Sequence, residues 1–188
     1  MEGDYFLMQK KESTVGSKVI SNKNITTQKL IVMALLVATN VVLSRFLSIA
    51  TQENKIGFAF IPVAIGAVIL GPIGGGIVGA LGDFIGAILF PIGVYFPGFT
   101  VSAFLSGWIY GKLLKKNQSH LRIILAASIS EIVCSLLLNS LWISLIYEIP
   151  YWGSVSMRIL QVLIMIIVEY VVLVELLKYL NVLKRKRK

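Results

Sequence analysis

The stretch GDFIGAILFPIGVYFPGFT, Gly82–Thr100, sits in a chain apolar enough for a lipid bilayer, yet it carries a carboxylate, four glycines and two prolines. Asp83 would cost at least about 2.5–3.5 kcal/mol if it faced lipid, so it must face protein or water. Small residues surround it at helical spacing: Gly76, Gly79 and Ala80 before it, Gly86 and Ala87 after it. Such a stripe lets helices approach closely. Asp83 is therefore either held in a helix–helix hydrogen bond or set against a cavity. Further on, Pro91 and Gly93 stop one helix, and Pro97 and Gly98 precede the next. Irregular backbone near membrane depth persists where protein or water satisfies it. Tyr95 and Phe96 lie on that connection, flanked by Phe90 and Phe99. They read either as interfacial belt residues or as a wall for a flat ligand.

Working outward, the 188 residues are 56% hydrophobic and 14% charged, with mean hydropathy +0.83. A soluble domain carries about a quarter charged residues. Uncharged runs predict six spans, at about 27–49, 57–70, 73–90, 98–114, 121–147 and 154–180. The expected fold is an all-α integral membrane protein, a six-transmembrane-helix bundle. Residues 1–24 form a polar cytoplasmic tail that lacks signal-peptide organisation, 25–182 the membrane unit, and 183–188 a basic tail.

The basic residues orient the bundle. Fifteen of the eighteen lie in the N-terminal tail, between spans four and five, or at the C-terminal end, all on one side of a six-span arrangement. Positive loops stay inside, so both termini are expected in the cytoplasm. Membrane topology thus accounts for the net charge of +9 without nucleic acid. Arg45, Lys55 and Arg158 remain at the outer end, with Lys55 in a loop that also carries Glu53. The two arginines either snorkel to lipid phosphate or bind an anion through their planar forks.

Polar residues recur along spans five and six. Glu131, Ser135 and Trp142 share a face with Asn139 alongside, and Arg158, Gln161 and Glu169 share another. Asn139, Arg158 and Gln161 suit an outer pocket; Glu131 and Glu169 lie deeper, as structural groups or proton carriers. One histidine, His120, and one cysteine, Cys134, leave no basis for a disulfide, a Cys-rich metal site or a two-His motif. No cofactor is expected. In span one, Ala34 and Ala38 form a small-xxx-small pair that suits docking of another membrane helix.

These residues resemble the substrate-binding S components of energy-coupling-factor vitamin transporters, and most closely the folate-specific ones. The likeness runs from about Asn24 onward and is strongest in GDFIGAILFPIGVYFPGFTVSAFLSGWIYGKLL, in LLLNSLWIS and at Arg45 and Arg158. It implies a prokaryotic plasma-membrane protein that binds folate from outside and docks through span one on a transmembrane coupling subunit driven by two cytoplasmic ATPases. The chain has no phosphate-binding loop of its own. Against such a ligand, Arg45 and Arg158 suit the glutamate tail, and Tyr95, Phe96 and Trp142 flank the rings. Asn139 and Gln161 offer donors and acceptors to a pterin edge, Asp83 can meet its amino group, and Thr100 completes the set. Another flat vitamin, riboflavin or thiamin, is the alternative; a cationic ligand would not match two arginines. An intramembrane enzyme using Glu131 or Glu169 lacks a nucleophile–base pair.

Ala34, Ala38 and Arg45 fall on nearly one helical stripe, so either the helix bends before Arg45, or Arg45 reaches around its end, or one of the two assignments fails, and Arg158 is the stronger expectation for the pocket arginine.

Overall fold

Alternating runs of apolar residues and glycine–proline breaks give six helices. The computed structural model describes residues 27–50 and 55–186; the expected N-terminal tail, Glu53 and residues 187–188 lie outside the described residues. Helix α1 spans Thr27–Arg45. A short antiparallel hairpin follows, β1 (Ser48–Ala50) and β2 (Lys55–Gly57), with Ser48 opposite Gly57. Helices α2 (Phe60–Leu70), α3 (Pro72–Leu89) and α4 (Pro97–Leu114) come next. Helix α5 is His120–Tyr147, and α6 is Tyr151–Lys186.

The expected spans match these helices, but the bundle is less uniform than six equal crossings. Four helices, α1, α3, α5 and α6, are long and apolar enough to cross a membrane. Helix α2 has 11 residues, roughly 16 Å at 1.5 Å per residue, about half a hydrocarbon core. Helix α4 is long enough, but Thr100, Ser102, Ser106 and Tyr110 lower its hydropathy. It packs against α2, α3 and α5, so those polar groups meet protein. The expected end of span one, at residue 49, falls instead within β1. Helix α6 continues through Lys186, past the expected limit of the membrane unit at residue 182.

Glycine sets the closest contact. A Cβ on Gly75 would come within 2.8 Å of the Gly107 carbonyl oxygen, and one on Gly79 would run into the Ala103 carbonyl. Gly111 meets the Pro72 backbone in the same way. Helices α3 and α4 thus touch backbone to backbone over three turns, the close approach that small residues permit. At Gly71, φ is +92°, which turns α2 into α3 over a single residue.

The bundle is solid at one end and hollow at the other. Ala64, Ala67, Tyr110, Leu114, Ala126 and Leu173 are fully buried in its core, joined by Ile123 and Leu177. These cluster toward the end where α2 meets α3 and α4 meets α5. At the opposite end the helix tips, the hairpin and residues 90–96 surround open space. Helix α5 is continuous, but Glu131–Leu138 within it is π-helical. No residue in that segment announces it. Glu148 closes α5 in the left-handed conformation, two residues before Pro150.

A Gly107→Val side chain has only the α3 backbone to occupy. We expect a loss of at least about 1–3 kcal/mol, seen as a lower thermal unfolding midpoint in detergent. Gly153→Val, with nothing within 4 Å, should leave the midpoint unchanged.

Candidate ligand-binding site

The hollow end holds a cavity of about 570 Å³, within the range of roughly 300–1,000 Å³ usual for small-molecule sites. All six helices and the 90–96 connection contribute to it. Its polar groups are arranged in three tiers.

Arg45 and Asp83 define the upper tier. Arg45 is the last residue of α1 and reaches across to α3, where Nη2 donates to the Asp83 backbone oxygen at 3.4 Å. Gly86 makes room, since a Cβ there would stand 2.7 Å from Arg45 Nε. Arg45 Nε has no hydrogen-bond partner among the described residues. Asp83 accepts from Thr100 Oγ1 at 2.9 Å, and Tyr95 Oη lies 3.1 Å from the same oxygen. The threonine proton goes to the carboxylate, so Tyr95 donates to Thr100. The chain Tyr95–Thr100–Asp83 ties the irregular connection to α4 and α3. Asp83 thereby satisfies both sequence readings: it bridges two helices and it lines the cavity.

The middle tier comes from α5 and α6. Arg158 is 4% exposed, lines the cavity and donates from Nη2 to Ser135 Oγ at 3.4 Å. Asn139 lines the wall, and its Oδ1 has no hydrogen-bond partner among the described residues. Behind it, Trp142 Nε1 donates to Ser102 Oγ at 3.0 Å. The Trp142 ring packs on Phe96 at 5.4 Å between centroids, and both lie against Gly98, where a side chain would collide with them.

Glu131 and Glu169 form the floor. Both are buried and both line the cavity. Tyr110 Oη donates to Glu169 Oε2 at 2.6 Å. Ser106 and Ser130 pair at 2.7 Å beside them. The π-helical turn contributes here. Its wider turn departs from the ideal α-helical register, and Glu131, Cys134 and Ser135 line the cavity together with Asn139.

A family profile described as "ECF-type riboflavin transporter, S component" matches residues 24–181. The folate transporter FolT of Clostridium novyi is 43% identical over 118 residues, 62% of this chain and 69% of the relative. The folate transporter FolT of Leuconostoc mesenteroides is 31% identical over 146 residues, 74% of this chain and 78% of the relative. A crystal structure of FolT bound with folic acid superposes with a TM-score of 0.75 at 36% identity, covering 80% of this chain and 92% of that one.

The chain belongs to the ECF-type S component family.

S components are transport subunits rather than enzymes, and this one is a multi-pass protein of the prokaryotic cell membrane. The intramembrane-enzyme alternative is set aside on that ground. Of the residues expected at the site of this S component, Arg45, Asp83, Tyr95, Asn139 and Arg158 line the cavity. Thr100, Phe96 and Trp142 stand behind that lining and hold it through the contacts above. Gln161 is buried one turn from Arg158 and is not part of the lining. The two arginines differ in setting: Arg45 is partly exposed and Arg158 is buried. The stripe conflict is resolved at the end of α1. Ala34 and Ala38 face outward, while the long Arg45 side chain turns back over Gly86.

Sequence reasoning assigned Glu131 and Glu169 to a deeper layer than the pocket, whereas they line its floor. It missed Asn40 and Ser44, buried on the inner face of α1 and also lining the cavity. Their signal was present: two polar residues four apart in an apolar span.

Thr100→Val removes the donor to Asp83 and should cost roughly 1–3 kcal/mol of stability. Thr100→Ser should retain most of it. Thermal unfolding of the two variants in detergent checks this.

Proposed function

We propose that this S component captures folate from outside the cell and releases it inward when docked on an ATP-driven module. One observation carries the reading: a folate-bound FolT structure shares 36% identity with this chain across 92% of its own length. The cavity chemistry supports it. Folate has a flat heterocycle and a tail with two carboxylates; the cavity has the room and two arginines. Riboflavin, named in the family profile, is the competing ligand. It is uncharged, so it would bring no carboxylate to either arginine of the cavity. Affinity for the tail is expected mainly from Arg45, whose Nε has no partner and which sits at the open end. Arginine forks bind carboxylates bidentately, and such bonds exceed neutral ones in strength.

Both termini are assigned to the cytoplasm. The support is the positive-inside distribution, with fifteen of eighteen basic residues at the solid end of the bundle or in its tails. The cavity then opens outward. Coupling to a transmembrane subunit and two ATPases is assigned to α1. Ala34 and Ala38 are exposed there, beside Leu30 and Leu35 at 64% and 69% exposure. A small-residue stripe within a lipid-facing apolar surface suits close helix contact.

Purified protein should bind folate without ATP, and titration by intrinsic fluorescence should give a tighter dissociation constant for folate than for riboflavin. Arg45→Ala should weaken folate about tenfold or more while changing pteroate, which lacks the glutamate, far less. Tighter binding of riboflavin would reject the folate reading.

A second expectation concerns docking. Ala34→Leu with Ala38→Leu should leave folate affinity unchanged and abolish uptake by cells that express the coupling module. Retained uptake would reject α1 as the docking face.

A further inference from the structure

The cavity floor has a chemistry that the anion-binding arginines do not explain. Glu131 is 8% exposed and Glu169 2%, and both line the cavity floor from facing helices. Tyr110, fully buried, donates to Glu169 Oε2. Glu131 Oε2 nevertheless has no hydrogen-bond partner among the described residues, although it is buried and its residue lines the cavity. A buried carboxylate oxygen without a donor is costly, and such atoms are nearly always satisfied in folded proteins. Glu131 Oε2 is thus open to a donor on whatever fills the cavity. Asn139 Oδ1, higher on the same helix, is also an acceptor without a donor. The floor therefore presents acceptors, the middle tier the Arg158 guanidinium, and the upper tier the donors of Arg45.

This arrangement is directional. An anionic tail would be repelled at the floor and attracted at the rim. Glu169 lies eleven residues beyond Arg158 along α6, roughly 16 Å of helix axis at 1.5 Å per residue, and Glu131 lies about one turn below Ser135, the residue Arg158 contacts on α5. A long molecule with a donor-rich head and a carboxylate tail fits one way round. The head must offer adjacent N–H groups. The 2-amino-4-oxo edge of a pterin does so, through its exocyclic amino group and ring N3–H, which a carboxylate can accept together. The corresponding edge of a flavin places N3–H between two carbonyl oxygens. Those oxygens would face the carboxylate and leave one of its lone pairs unmet.

We infer that Glu131, supported by Glu169 and Tyr110 at the cavity floor, recognises the 2-amino–N3–H edge of the heterocycle and selects pterins over flavins. The inference rests on the folate reading and names what would enforce it. Glu131 does so by direct contact with the ligand, and Tyr110 and Glu169 act as positioning residues behind it. Desolvated polar pairing of this kind gives strong discrimination, because a ligand lacking the matching group leaves the site's buried atom unpaired.

The test pairs a change in the ligand with a change in the protein. Full-length purified protein is titrated with folate, 2-desaminofolate, pteroate and riboflavin, before and after Glu131→Gln. Wild-type protein should bind folate about tenfold to a hundredfold more tightly than 2-desaminofolate. Glu131→Gln should weaken folate by a similar factor, leave 2-desaminofolate nearly unchanged, and narrow the preference for folate over riboflavin. Equal losses for folate and 2-desaminofolate would overturn the inference, since a merely structural role for Glu131 predicts that. If the variant does not fold, wild-type protein decides alone: equal affinity for folate and 2-desaminofolate overturns the assignment. Failure of wild-type protein to bind folate or pteroate while it binds riboflavin would instead overturn the folate reading itself.

Discussion

The backbones of α3 and α4 touch at Gly75 and Gly107, and much of the outer architecture follows from that contact. Two helices that close cannot both be lined by side chains, so their apolar bulk is displaced to their flanks, where α2 and α5 pack. The contact sets the register between the helices. It brings Asp83 of α3 to Thr100 of α4 and lets the connection between them remain irregular. In lipid, such a connection would be untenable without internal partners. Here the Tyr95–Thr100–Asp83 side chains anchor the connection to α4 and α3, and the Phe96–Trp142 pair packs beside it.

A bundle that is solid at one end can hold a cavity at the other. The fully buried Ala64, Ala67, Tyr110 and Leu173 do the ordinary work of a core. They free the hollow end from contributing its share of packing. Polar groups there are costly to bury, and the structure satisfies many of them in pairs: Ser106 with Ser130, Trp142 with Ser102, Tyr110 with Glu169. Among the buried polar atoms without a hydrogen-bond partner in the described residues, those of Glu131, Asn139 and Arg45 belong to the cavity lining. A ligand that completes them binds the folded state alone and stabilises it by mass action.

Several features were legible in the residues and others were not. The glycine stripe announced a close helix contact, and the place of Asp83 within an apolar span announced a polar partner or a cavity. Arg45 and Arg158 were readable as groups that topology did not need. The hairpin at residues 48–57 was hidden because SIA and KIG carry no turn signature that separates a strand from the frayed end of a span. The π-helical turn was hidden because it is a shift in hydrogen-bond register with no required residue. That turn helps bring Glu131 into the cavity lining, so a depth count along an ideal helix left the carboxylates out of the site.

By itself, the sequence determined that the chain is a membrane bundle, how many helices it has, where they break, and which end is basic. Those properties depend on hydropathy, charge and backbone freedom, which each segment carries locally. The tertiary structure alone decided that Arg45 turns inward while Ala34 and Ala38 on the same helix face outward. It alone decided that two glutamates 38 positions apart line one floor. Both outcomes turn on which helix lies opposite, and that is fixed by packing across the bundle, not by spacing along the chain.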